Sequence, residues 1–389
     1  MKAVLFTHPE FLRSTSMPLV AGQIRQGLEA SGFEVMVLSP KRYFYQVPCP
    51  PRLKKWLGYL DQFVIFPIMS HLATRGLPDD TIYIFSDQAL GPWIPAFSKR
   101  PHAVHCMDFL ALRSAMGEFP QNPISWTGRI YQQWIRRGFS SARNFICISH
   151  KTGQDLERFL AHPEQANIHV VHLGLNYPYA PMPAGTAVAL LAPFSGIDTS
   201  KGFLLHVGGN QWYKNRVGVV TIYAEYVQRI SHPLPLLLMG AEPTSELREA
   251  ARQVPSAGKV EFVVSPPVEA IHAAYSLASA LLFPSIAEGF GWPILEAMAC
   301  GCSVLTTNDA PMTEVGGEAA TYLPVLEPNR SAAWATESAD ILISVLARTS
   351  AQREQVRIKG LAHAACFNGD SVTRRYVEIY RSILQENGT

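Results

Sequence analysis

The 389-residue chain contains no apolar run near the roughly 18 residues a spanning helix needs, so an integral helical membrane protein is excluded. It also contains no Cys-x-x-Cys pair. Its six cysteines, Cys49, Cys106, Cys147, Cys300, Cys302 and Cys366, are scattered. That argues against a disulfide framework or a zinc ribbon and predicts buried or half-buried free thiols in a reducing compartment. The His102-x-x-His105 and His169-x-x-His172 pairs fall in strand-like sequence, where residues three apart point to opposite faces. No metal site is expected from them. Neither Gly-x-Gly-x-x-Gly nor Gly-x-x-x-x-Gly-Lys-Ser/Thr occurs, which argues against nicotinamide dinucleotide binding and P-loop hydrolysis. Charge is scarce at 16 % of residues, with a net of only +2, and no nucleic-acid partner is expected. The apolar character of the N-terminus fades after six residues, as in a first strand and unlike a secretion signal.

What is present is apolar sequence, 48 % of the chain, enough for two cores of ordinary domain size. Short β-branched and aromatic runs alternate with stretches of helical period, and predict strands at 2–7, 33–39, 81–86, 102–107, 143–148 and 168–173. In the second half they recur at 203–208, 235–240, 259–264, 279–284, 303–307 and 319–323. That alternation reads as repeated βαβ units and two parallel sheets. The Pro-, Ala- and Gly-rich stretch 179–200 reads as a linker between an N-terminal domain, 1–178, and a C-terminal one, 201–370. A final helix over 371–389 can return to either domain. The charge is uneven: residues 1–178 carry 18 Lys and Arg against 12 Asp and Glu, leaving 15 against 19 for the rest. A basic first half suits an anionic partner.

The densest chemistry lies in Ala280–Cys302, ALLFPSIAEGFGWPILEAMACGC. A buried strand passes into a loop holding Glu288, Gly289, Phe290 and Gly291, and Pro293 fits the first turn of a short apolar helix. In open α/β sheets, loops at the carboxyl ends of strands bind ligands, and a helix start suits an anion such as a diphosphate. Glu296 lies one turn inside that helix among Ile294, Leu295, Ala297 and Met298, where an unpaired carboxylate would be costly. Upstream, Phe203–Arg216 (FLLHVGGNQWYKNR) ends a strand in Gly208-Gly209, continues through Asn210 and places Lys214 at the next helix start, within reach of such a diphosphate.

Together these segments resemble the nucleotide-sugar motif and phosphate-contact loop of glycosyltransferase family 4, retaining enzymes of the GT-B fold. The specific match covers residues 203–325. The resemblance implies an α/β chain of two Rossmann-like domains whose parallel sheets face a cleft. It implies that Glu288 contacts the transferred sugar, Glu296 the ribose hydroxyls and Lys214 the leaving diphosphate. Gly289, Phe290 and Gly291 would offer backbone N–H groups, and Gly208, Gly209, Asn210 and Arg216 complete the donor-binding set. There are departures. Gly209 stands where the family often has arginine, for which Arg216 is the available substitute. Met107 stands in the place of the family histidine, leaving His105, two residues earlier, as the sugar-contact candidate or as a packed strand histidine. The first loop, Ser14-Thr15-Ser16-Met17, lacks the family's glycine pair.

The expected reaction is transfer from a UDP-, GDP- or dTDP-sugar to a glycan or lipid-linked acceptor in polysaccharide or glycolipid synthesis. No cofactor is expected; with no Asp-x-Asp and a lysine at the diphosphate, metal independence is expected too. A non-catalytic nucleotide-sugar-binding subunit, a GT-B epimerase and a phosphorylase are the alternatives. Finally, Arg52–Arg75 and Ser125–Arg143 set basic residues beside Trp56, Trp126, Tyr131 and Trp134. Helices of that composition suit peripheral contact with an anionic leaflet, and place the chain in the cytoplasm at the inner membrane face. Pro67 should kink or end a helix in the first of them.

Overall fold

The computed structural model describes residues 1–11, 16–327 and 329–387. The chain divides into two units, Met1–Gly174 with Gly369–Thr389, and Leu175–Asn368. Ser14 and Thr15 lie outside the described residues, and Ser16 opens the first helix.

The first unit is built on a parallel sheet of β1 (Lys2–Phe6), β2 (Glu34–Leu38), β3 (Ile82–Phe85), β4 (His102–Cys106), β5 (Asn144–Cys147) and β6 (Asn167–Val170), in the order β2-β1-β3-β4-β5-β6. β1, β3, β4 and β5 are almost wholly buried, as parallel strands covered on both faces must be. Phe6 stacks on Phe85 with ring centroids 4.6 Å apart, and Phe97 packs against both. The Gly369–Asn387 helix belongs to this unit and buries Tyr376, Ile379, Tyr380 and Ile383.

From Pro51 to Thr74 the chain is helical without a break. The α-helix Pro51–Leu60 runs through a π-turn, Asp61–Ile65, into Phe66–Thr74. Pro67 therefore does not end the helix. The wider π-turn precedes it and shifts the hydrogen-bond register where proline has no N–H to give. Asp61, buried in that turn, accepts from the Phe44 and Tyr45 N–H groups at 2.9 and 2.8 Å.

The second unit repeats the plan with β7 (Leu204–Gly208), β8 (Leu236–Gly240), β9 (Val260–Val264), β10 (Ala280–Phe283), β11 (Val304–Thr307) and β12 (Thr321–Leu323), in the order β12-β11-β10-β7-β8-β9, all parallel. Leu204, Leu236, Leu238, Leu282 and Leu305 pack with Val220, Tyr223, Trp334 and Leu342 in its core. Residues 179–200 read as linker in sequence, yet they contain a helix, Ala184–Leu191, on the Val268–Leu277 helix of this unit. Its Ala187 and Leu191 are buried. The thiols also differ from expectation at one place: Cys366 is exposed, because it follows the end of the Ser350–Ala365 helix.

Candidate functional site

The site expected from sequence assembles at the carboxyl edge of the second sheet, where β7 and β10 are neighbours. β7 ends at Gly208, and a single turn, Trp212–Lys214, leads to Asn215 in the left-handed conformation at φ +51°. Asn215 caps the Arg216–Val227 helix by accepting from Gly218 N–H at 3.2 Å, and its amide donates to Pro284 O at 3.0 Å. Ile286 N–H donates to Tyr213 O at 2.7 Å. The lysine loop is thus tied to the loop after β10 from two sides.

Lys214 Nζ donates to both carboxylate oxygens of Glu288, at 2.8 and 3.0 Å, and the ammonium lies 5.0 Å from the centroid of the Phe283 ring. Glu288 is buried and the lysine side chain is only 15 % exposed. Two residues separated by 73 others in sequence are therefore one ion pair. Gly291, at φ +103°, turns the chain into the Trp292–Ala299 helix. The helix start itself is partly used, since Ile294 N–H donates to Gly291 O and Pro293 has no N–H. Phe290 packs its ring edge-on against Phe367, 6.0 Å between centroids.

Glu296 is buried one turn into this helix, and the Tyr275 hydroxyl donates to its Oε2 at 2.9 Å. Burial pushes its carboxyl up to about 7, partly offset by hydrogen bonds from Tyr275 and Asn176 and by the Lys214 charge. It is a carboxyl poised to change charge near neutrality.

Other expected residues take different places. Arg216 is buried, and its guanidinium donates to Asn210 Oδ1 at 2.6 Å and Ala241 O at 2.9 Å. The Asn210 amide in turn donates to Glu242 O at 2.7 Å. Both side chains brace the loop after Gly209. Gly208 must be small: a Cβ there would lie 3.0 Å from Nε2 of buried His206. His206 donates from Nδ1 to Leu282 O at 2.9 Å, its Nε2 has no partner among the described residues, and burial lowers it to about 3, so the ring is neutral.

The expectation that His105 contacts the transferred sugar is corrected. Its ring is fully buried, hydrogen-bonded through Nε2 to the Tyr380 hydroxyl at 2.6 Å and packed edge-on against Tyr376. Burial holds it neutral, down at about 3. It is a strand histidine facing the Gly369–Asn387 helix of its own unit. Met107 is buried as well. The first unit does present a histidine–carboxylate pair at the carboxyl edge of its sheet, but from other strands. His8, two residues past β1, meets Asp87, two residues past β3, at 2.8 Å.

Sequence reasoning missed that pair, along with Tyr275, Asn176 and Asn215. Asn215 had a signal, an asparagine directly before an apolar helical run. Tyr275 had none, because an aromatic on a helix reads as core.

With this geometry in hand, the comparisons with known proteins fall into place. Residues 191–354 match the family model described as glycosyl transferases group 1. Over 255 residues the chain is 26 % identical to O-antigen chain mannosyltransferase B of Escherichia coli, covering 65 % of this chain and 64 % of that protein. The alignment thus spans just under two thirds of that relative. Among solved structures, sucrose-phosphate synthase from Thermosynechococcus elongatus superposes with a TM-score of 0.74 at 18 % identity, covering 99 % of this chain and 100 % of that one. Anabaena Alr3699/HepE, solved in complex with UDP and glucose, gives 0.67 at 16 % identity over 98 % and 100 %. At such identities these structures establish the fold, which is GT-B.

Proposed function

We propose that this chain, which has the GT-B fold and matches the glycosyl transferases group 1 model over residues 191–354, moves a sugar from a nucleoside diphosphate sugar to an acceptor hydroxyl, with retention at the anomeric carbon. The observation that carries the reading is the buried Lys214–Glu288 pair beside the buried Glu296. A lysine held there places a fixed positive charge where the leaving diphosphate gains negative charge, in a site where water does not screen it. Glu288 orients that lysine and faces the transferred sugar. Glu296, ionised, accepts from the ribose hydroxyls; a carboxylate suits two such donors.

No side chain is placed as a covalent nucleophile in this reading. The bond from the anomeric carbon to the diphosphate oxygen breaks, and the acceptor oxygen bonds to the same face. The acceptor's proton passes to the departing diphosphate. Lys214 supplies the charge a metal would otherwise provide, so the reaction is proposed to be metal-independent. The likeness to a mannosyltransferase of O-antigen chains and to a fold solved with UDP and glucose supports a nucleotide-activated hexose and a glycan or lipid-linked acceptor.

The test is acceptor-dependent release of nucleoside diphosphate by the wild type and Lys214→Ala. Loss of one preorganised charge should lower turnover by about 10²–10³. A cooperative thermal unfolding transition and a far-ultraviolet circular dichroism spectrum matching the wild type show that the variant folds. Turnover unaffected by Lys214→Ala would overturn the assignment. A second reading, a binding subunit without turnover, has one observation in its favour, the burial of both Met107 and His105. Its sign would be donor binding with neither transfer nor slow donor hydrolysis.

A further inference from the structure

The helix from Pro51 to Thr74 carries its apolar residues on the wrong side for a globular core. Leu53, Trp56, Leu60, Val64, Ile68 and Leu72 are all exposed, at spacings of three and four, so they form one stripe down a helix about 36 Å long. The π-turn keeps the stripe in register, because its wider turn matches the four-residue steps from Leu60 to Val64 to Ile68. The Trp126–Phe139 helix repeats the pattern. Its inner face buries Ile135, Gly138 and Phe139, while Trp126, Arg129, Ile130, Trp134 and Arg137 line the solvent side. The two helices are joined by rings: Tyr59 stacks on Tyr131 at 5.7 Å, and Phe63 meets Trp134 at 4.7 Å. Trp56, Trp126 and Trp134 are the three exposed tryptophans among the described residues, and all lie here. A contiguous apolar surface of this kind marks a contact site.

Charge identifies what it contacts. Residues 41–75 hold Lys41, Arg42, Arg52, Lys54, Lys55 and Arg75, and residues 123–143 hold four arginines. The one carboxylate in both stretches, Asp61, is buried and bound to backbone N–H groups. Among the described residues, none of these cations is in an ion pair. A second copy would set these cations against each other. A nucleic acid would match the charge but leave the aliphatic stripe without a partner. An anionic bilayer offers both, phosphate for the cations and acyl chains for the stripe, with tryptophan favoured at the boundary. Among the described residues no helix is long and apolar enough to cross it.

We propose that the exposed faces of the 51–74 and 126–139 helices form one docking surface for an anionic lipid bilayer, laid flat on the headgroups. This does not depend on the donor-site reading.

The experiment is co-sedimentation of the full chain with vesicles of phosphatidylcholine alone and with increasing phosphatidylglycerol, at low and high salt. Binding should rise with phosphatidylglycerol and fall with salt. Ile68→Ser with Trp126→Ser, and separately Arg129→Glu with Arg137→Glu, should each cut it at least tenfold, given about 1 kcal/mol per basic residue at such a surface. Each variant's thermal stabilisation by UDP or GDP, read on the same samples, reports folding and the donor site, so failure of that site is distinguishable. Absence of binding, binding indifferent to lipid charge, or binding unchanged in both variants overturns the proposal. So does a dimer in solution that the same variants dissolve.

Discussion

Glu296 and Glu288 share one loop-and-helix segment but occupy different electrostatic settings, so their substitutions should separate. Glu296→Ala removes the acceptor for the ribose and should weaken free nucleoside diphosphate about tenfold to a hundredfold, from roughly 1.5–3 kcal/mol for a hydrogen bond to a charged group. Glu288→Gln releases Lys214 from its ion pair and should leave that affinity intact or raise it, while turnover falls. Calorimetry against steady-state rates makes the comparison; equal weakening of the free nucleotide by both would refute separate roles. Glu296 also carries a pH dependence. Its carboxyl stands at about 7 against an ordinary 4.5, so between those values the folded chain holds a proton that the unfolded chain has released. Stability contributed by that proton is full below 4.5 and is lost as pH rises through 7. Glu296→Gln should therefore gain in melting temperature over the wild type from pH 5 to pH 8, and a constant difference would refute the shift. The carboxylate itself was legible in sequence, as a charge set in an apolar helix. The hydroxyl that meets it was not, because Tyr275 lies 21 residues away in a helix of ordinary core pattern.

Where β7 and β8 end side by side, Gly208 and Gly240 are paired in register, and Gly240 has φ +140°. A Cβ at 240 would come 2.1 Å from Gly208 O. Gly240→Ala should thus cost at least about 3 kcal/mol, part strain and part forced separation of the strand ends that carry the lysine loop. Thermal unfolding and nucleotide affinity should fall together; an unchanged melting temperature would contradict the close approach. Elements of this kind were well read from the sequence. All twelve strands overlap the runs predicted for them, the central ones because a strand buried on both faces has no polar option, while β6 ends at Val170, short of its predicted end at 173. What escaped were features decided by distant packing. The helix over Ala184–Leu191 hides in composition that suits a linker, and the helix through Pro67 depends on a π-turn with no sequence signature. Spacing to Met107 leaves the His105 side chain either at the site or packed within the fold. Its direction is set instead by Tyr376 and Tyr380, some 270 residues later.

At the scale of the molecule, the proposed chemistry needs no ion: a lysine supplies the charge. Turnover should survive a chelator and gain nothing from magnesium or manganese, and activity lost to chelation and restored by manganese would refute that. The division of the chain has a different consequence. The first unit takes its last helix, Gly369–Asn387, from the far side of the whole second unit, and that helix covers His105 on β4. A ribosome makes residues 175–368 before it makes this cover. At roughly 5–20 residues per second the second unit has on the order of ten seconds or more to form while the first waits with one face of β4 bare. The unit that starts first is completed last, and until the final turns emerge its sheet is a client for whatever holds nascent chains apart.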